Sequence, residues 1–109
     1  MDVFFAISDP TRRAVLDLLT RGSRNAGDIA ARFPRLTQPA VSRHLKVLRD
    51  ARLVNVEVNA QRRIYKLDPG GLEELYEWVA KYQAMWPETL DALERYLDSK
   101  PRAKRKVPR

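Results

Sequence analysis

Apolar residues return every three to four positions through the first half of the chain, then every second position over a short stretch, then every three to four again. That order predicts helices, a β-hairpin and further helices. Met1 to Ile7 is short and apolar, with Phe4 and Phe5 side by side, and predicts a first turn or short helix. Asp9-Pro10 opens a longer helix, since Asp accepts from free amides at a helix start and Pro tolerates the first helical position. Ala14, Val15, Leu18 and Leu19 share one face of it, and Gly22 ends it. Asn25 caps a second helix, with Asp28 three residues on, Ile29, Ala30 and Phe33 as its apolar side, and Pro34 as its end. After the turn Pro34-Arg35-Leu36, Thr37 caps a third helix with Pro39 in its first turn. Leu36 and Val41 have the spacing of a hydrophobic staple across that cap. Val41, Leu45 and Leu48, with Val47 to one side, form its dry face, and Gln38, Ser42, Arg43, Lys46 and Arg49 form a hydrogen-bonding, cationic face.

From Leu53 the period becomes two. Val54, Val56 and Val58 alternate with Asn55, Glu57 and Asn59, Asn59-Ala60-Gln61 reads as a turn, and Arg62 to Leu67 reads as the return strand. The hairpin tip carries Gln61, Arg62 and Arg63. Pro69-Gly70-Gly71 punctuates, and a helix is expected from Leu72, with Leu75, Tyr76, Val79, Tyr82 and Trp86 spaced by threes and fours and Trp78 and Met85 beside them. Pro87 either kinks this helix or begins a new one, and Leu90, Leu93, Tyr96 and Leu97 continue the apolar stripe. The expected fold class is mainly α with a small β-hairpin wing. One domain covers residues 1–98, and residues 99–109, with two prolines and six cations, form a basic disordered tail.

Charge and composition narrow the chemistry. The 109 residues are 44% hydrophobic and 32% charged, ordinary for a globular domain. They hold no cysteine, which removes disulfides, thiolate metal sites and cysteine nucleophiles and suits a reducing cytoplasm, where the protein is expected to act. No basic leader precedes an apolar run, and no stretch approaches the ~18 apolar residues of a membrane span. The net charge of +7 is unevenly placed: residues 8–67 carry 13 Lys and Arg against 5 Asp and Glu, residues 68–98 carry 2 against 8, and the last eleven carry 6 against none. A basic block followed by an acidic one suits a polyanionic partner, although charge alone reads equally well as a solvated face.

The helix, tight turn, helix and hairpin over residues 25–67 decide between these. An α-helix fits the DNA major groove, where Gln reaches adenine N6 and N7 and Arg grips guanine O6 and N7, each bidentate contact giving roughly 1–3 kcal/mol of discrimination. Gln38, Ser42 and Arg43 stand where that chemistry needs them, and an arginine-bearing tip suits the backbone or minor groove. The string Thr37-Gln38-Pro39-Ala40-Val41-Ser42-Arg43-His44-Leu45-Lys46-Val47-Leu48 resembles the recognition helix of ArsR/SmtB-type repressors. Ser8-Asp9-Pro10-Thr11-Arg12-Arg13 is similar to the family's opening helix, Leu53-Val54 to the start of its wing, and Arg62-Arg63 through Tyr65 and Leu67 to the wing's return strand, so the resemblance runs from about residue 4 to 98. It implies a winged helix-turn-helix with helical dimerisation elements at both ends, binding double-stranded operator DNA as a homodimer. The DNA contacts it implies are Gln38, Ser42, Arg43 and His44, with Arg62 and Arg63 in the wing, and Thr37 and Lys46 are expected to contact DNA beside them.

The sequence departs from the family in two places. The turn reads Phe33-Pro34-Arg35-Leu36, where many members carry a Gly, and the metal ligands are missing: no cysteine lies in 26–33, no His in 72–98, and His44 is the only histidine. No metal sensing and no cofactor are expected, and no effector is named. Phe4, Phe5, Trp78, Val79, Tyr82, Trp86, Leu90, Leu93 and Leu97 are the expected core and dimer-interface residues on amphipathic helices. An enzyme is not expected, since no phosphate loop, nucleophile-base pair or His/carboxylate cluster is present. The alternatives are a non-specific or architectural nucleic-acid-binding protein, which the basic tail favours, and a winged helix used only for protein contacts.

Overall fold

A computed structural model of the chain describes residues 2–99. Helix α1 (Val3–Ile7) is capped by Asp2, and α2 (Pro10–Leu19) by Asp9, whose carboxylate accepts the Arg12 amide at 3.0 Å. Strand β1 (Arg24–Asn25) leads into α3 (Ala26–Ala31), where Asn25 Oδ1 accepts the Asp28 amide at 2.8 Å. Thr37 caps α4 (Gln38–Asp50), its hydroxyl accepting the Ala40 amide at 3.2 Å. Strands β2 (Val54–Asn59) and β3 (Arg62–Leu67) follow, then α5 (Pro69–Ala80), a 3₁₀ turn (Gln83–Met85) and α6 (Trp86–Asp98). The caps and the periodicity expected from the sequence thus set the starts of α2, α3 and α4.

The apolar faces of the helices meet in one cluster. Val15, Leu18 and Leu19 of α2, Ile29 of α3, and Val41, Leu45 and Leu48 of α4 pack with Val3, Ala6, Leu53, Val54 and Tyr65. Leu36, from the loop before α4, packs against this cluster half-buried. Each fully buried Leu, Ile or Val contributes roughly 1.5–3 kcal/mol over exposure, so this cluster holds α4 by one face only. The end of α4 is fixed as firmly as its start. The Leu53 amide donates to Leu48 O and the Arg52 amide to Arg49 O, both at 2.9 Å, and Arg52 takes a left-handed φ of +61°. That is the six-to-one, five-to-two closure of a helix, with Leu48 and Leu53 buried against each other's turn.

Four features differ from the sequence expectations or resolve them. First, the hairpin gains a third strand: β1 runs antiparallel to β3, Arg24 opposite Tyr65 and Asn25 opposite Ile64, giving the order β1-β3-β2. Two polar residues carry no alternation to detect, so only the tertiary pairing defines this strand. Second, α5 begins at Pro69 and takes both glycines into its first turn, three residues before Leu72. Gly71 is buried there, and its amide donates to Arg52 O at 2.6 Å. Third, Pro87 begins a new helix, standing in the first turn of α6 after the 3₁₀ turn. Fourth, the loop of the hairpin has two residues, Ala60 and Gln61, closed by the pair Asn59 and Arg62, and Ala60 has φ +58°. A positive φ at the first loop position follows the twist of the flanking strands.

Along β2, Val54 is buried whereas Val58 on the same side is 69% exposed, so the hairpin runs out past the core. The chain divides after Glu77 into two compact units, the winged-helix body and a helical unit beginning at Trp78. In the second unit Trp78 and Tyr82 meet edge to face, ring centroids 5.4 Å apart. The basic tail expected over 99–109 lies, from residue 100 onward, outside the described residues.

Candidate nucleic-acid interface

Because Val41, Leu45 and Leu48 point into the core, the other side of α4 is presented to solvent. Thr37, Gln38, Ser42, Arg43, Lys46 and Arg49 are all exposed there. Gln38 and Ser42 are one turn apart and line a hollow between α3 and α4 together with Ala26, Gly27 and Ala30 of α3. Small side chains on α3 therefore let an incoming edge approach the two polar groups closely. Arg43 and Arg49 make no ion pair among the described residues. Lys46 pairs with Asp50 at 3.0 Å, one turn on and exposed, a contact of at most ~1 kcal/mol that a phosphate can displace.

His44 is placed differently from its neighbours. It is half-buried, with Nδ1 3.3 Å from Nη1 of Arg12. A guanidinium only donates, so Nδ1 accepts and the ring proton sits on Nε2. The expectation of a DNA contact at His44 therefore meets a side chain whose inner nitrogen already has a partner. Asp9 lies close by: burial works to raise its pKa, but the backbone amides of Arg12 and Thr11 and the Arg12 charge work against this, and its carboxyl is held below the ordinary value of 3.8.

In the wing, register separates two residues that the sequence groups together. Arg63 pairs with Val58 and Arg62 with Asn59, so the two guanidinium side chains leave opposite faces of the hairpin tip. Both are exposed, as is Gln61 between the strands. On the Arg62 face, Glu57 accepts from Lys66 Nζ at 2.5 Å, and this hydrogen bond and charge lower the Glu57 pKa. A ribbon tip with one arginine on each face can address both walls of a groove.

Outside the wing and α4, the expected interface residues stand as follows. Phe4 and Phe5 of α1 and Trp78, Tyr82, Leu90 and Leu93 of the helical unit are exposed, Val79 and Leu97 are half-buried, and Trp86 opens α6. Arg12, which sequence reasoning placed only in the opening helix, is buried and joins α1, α2 and α4. Its signal was faint, since a lone Arg on a helix reads as surface. Among the described residues no group of three or more His, Cys, Asp or Glu could hold a metal ion, and no helix is long and apolar enough to cross a membrane.

A recognition helix exposed on its polar face, a helix-turn-helix behind it and an arginine-tipped wing define a DNA-binding transcription regulator. Comparison with known proteins agrees. Residues 7–57 match the model of a helix-turn-helix domain. The chain is 39% identical over 94 residues to the HTH-type transcriptional regulator Rv2034 of Mycobacterium tuberculosis, covering 86% of this chain and 84% of that one. It is 40% identical over 81 residues to the transcriptional repressor SdpR of Bacillus subtilis, covering 74% and 89%. The crystal structure of an ArsR family transcriptional regulator superposes with a TM-score of 0.70 at 28% identity, over 78% of this chain and 87% of that chain. The chain belongs to the ArsR family of helix-turn-helix transcriptional repressors.

Proposed function

We propose that the chain represses transcription as a homodimer on a palindromic operator, each copy reading one half-site with α4 and gripping the flanking backbone with its wing. The observation that carries this reading is the division of α4: one face is locked in the core, while Gln38, Ser42 and Arg43 stand exposed on the other. Gln and Arg at the start of an exposed helix match the donor and acceptor pattern of purine edges, which a purely electrostatic binder does not require. Phe4 and Phe5 of α1 and Tyr82, Leu90 and Leu93 of the helical unit are large apolar side chains exposed in a single chain, as a second copy would require. Repression without metal sensing is supported by the donor set, since the sequence offers no thiolate and a single imidazole that Arg12 already engages. Half-site centres are expected about one helical turn apart, ~10 bp, or a multiple of it. Fluorescence anisotropy tests the reading, with the gene's own upstream DNA, a random-sequence selection product and a shuffled duplex as probes. A preference of ~10³ or more for one palindrome supports it. Equal affinity for all duplexes, collapsing with salt, refutes it in favour of a general nucleic-acid binder, and no affinity at low salt leaves a winged helix for protein contacts.

A further inference from the structure

Among the described residues Arg12 is the buried charged side chain of the core, 8% exposed, and DNA reading as described above makes no use of it. Its guanidinium is engaged on all three nitrogens. Nε donates to Ala6 O at 2.7 Å, Nη2 donates to Phe5 O at 3.1 Å, and Nη1 stands 3.3 Å from His44 Nδ1. The cation also lies over the Phe5 ring, 5.1 Å from its centroid. Ala6 and Phe5 belong to the last turn of α1, where Phe5 O also accepts from the amide and hydroxyl of Ser8. His44 belongs to α4 and directly follows Ser42 and Arg43 of the exposed face.

The chemistry asks why a guanidinium is kept here. Burying a cation is costly, and an apolar side chain of similar volume would fill the same space at no such cost. No carboxylate lies within ion-pair distance of Arg12 among the described residues, although the charge of Asp9 reaches it. What the guanidinium supplies is direction: a rigid planar fork bonds two carbonyls of α1 on one side and an imidazole of α4 on the other. An apolar contact would let α4 roll, whereas a bond to Nδ1 fixes the rotation of the helix at the residue next to Arg43.

We propose that Arg12 is a positioning residue for DNA recognition: by tying His44 of α4 to the end of α1 it sets the orientation of the reading face, so operator discrimination depends on a side chain that touches no DNA. This rests on the operator reading above. It assigns His44 the inward role through Nδ1 and leaves direct contact to Gln38, Ser42 and Arg43.

The test compares full-length variants for affinity to the operator and to a shuffled duplex, at a temperature where circular dichroism shows each to be folded. Arg12→Lys keeps the charge and loses the fork. His44→Asn keeps a polar atom near the position of Nδ1, whereas His44→Gln keeps one near that of Nε2. The expected result is a tenfold or greater fall in the operator-to-shuffled ratio for Arg12→Lys and for His44→Gln, with wild-type affinity for the shuffled duplex and an unchanged salt slope. His44→Asn should retain most of the ratio. A lowered Tm with an unchanged ratio would make Arg12 a structural residue only and overturn the proposal. Retention of the ratio by His44→Gln and its loss in His44→Asn would make His44 a direct DNA contact and also overturn it. Should Arg12→Lys fail to fold, the His44 pair decides alone. A wild type without preference for any duplex overturns the operator reading itself, and this inference with it.

Discussion

The two adjacent glycines at the start of α5 are expected to respond in opposite directions to the same substitution. A methyl group at Gly71 would lie 2.7 Å from both Ala51 O and Arg52 O. Those are backbone atoms of the closed turn that ends α4, where Arg52 already holds φ +61° and Leu53 is tied to Leu48 O. The methyl can be housed only by moving α5 away, which strains or breaks the Gly71 to Arg52 bond at 2.6 Å. Losing that bond costs about 0.5–1.5 kcal/mol and overpacking about 1–3 kcal/mol. Against them stands up to ~1 kcal/mol gained by replacing Gly in a helix. Gly71→Ala should therefore destabilise by roughly 1–3 kcal/mol. At Gly70 the nearest atoms belong to the Arg52 guanidinium, Nη2 at 2.7 Å, the far end of an exposed side chain that can swing aside. Gly70→Ala should be neutral or stabilising by up to ~1 kcal/mol. Urea unfolding of both variants measures the difference, and thermal scans should separate them by at least ~5 °C in a domain of this size. Equal stabilities, or a more stable Gly71→Ala, would refute the close approach of α5 to the end of α4.

Arg43→Ala should cost roughly 1–3 kcal/mol on the operator and relax preference at one base position, read by anisotropy against single-base operator variants. Arg62→Ala and Arg63→Ala should each weaken binding to all duplexes and reduce the salt slope by about one; because the two leave opposite faces of the tip, their effects should add in the double variant, and a single arginine carrying the whole effect would contradict the register. The lowered Asp9 pKa gives a signed pH prediction. A carboxyl held below its unfolded value stabilises the fold fully above that value, 3.8, and loses the contribution as pH falls through the lowered folded one. Asp9→Asn keeps a cap acceptor but does not titrate, so the stability gap between wild type and variant should be greatest above about pH 4 and shrink in more acid solution; a gap constant down to about pH 2 would refute the assignment.

Much of the site was legible because local chemistry specified it. The caps Asp9, Asn25 and Thr37 need only their own next three residues, and the division of α4 into Val41, Leu45, Leu48 and the polar strip follows from a helical period within a single segment. The β2 and β3 pairing was legible for the same reason, as alternation and a turn lie within fourteen residues. Features that depend on partners distant in sequence were not legible. Strand β1 exists because Arg24 and Asn25 meet β3 some forty residues later, and neither has a periodic neighbour to announce it. Gly70 and Gly71 read as a break, yet the crowding of Ala51 and Arg52 against Gly71 makes glycine the residue that lets α5 start there. Arg62 and Arg63 were equal as letters, and only the strand register turned them to opposite faces. His44, next to the outward-facing Arg43, and Arg12, on a helix of ordinary appearance, meet only when α1, α2 and α4 are packed. The sequence by itself determined which helix exposes a polar, cationic face and which hairpin is basic, because periodicity and charge are local. Tertiary structure alone decided how that helix is oriented and what holds it, because those are contacts between segments that no local pattern encodes.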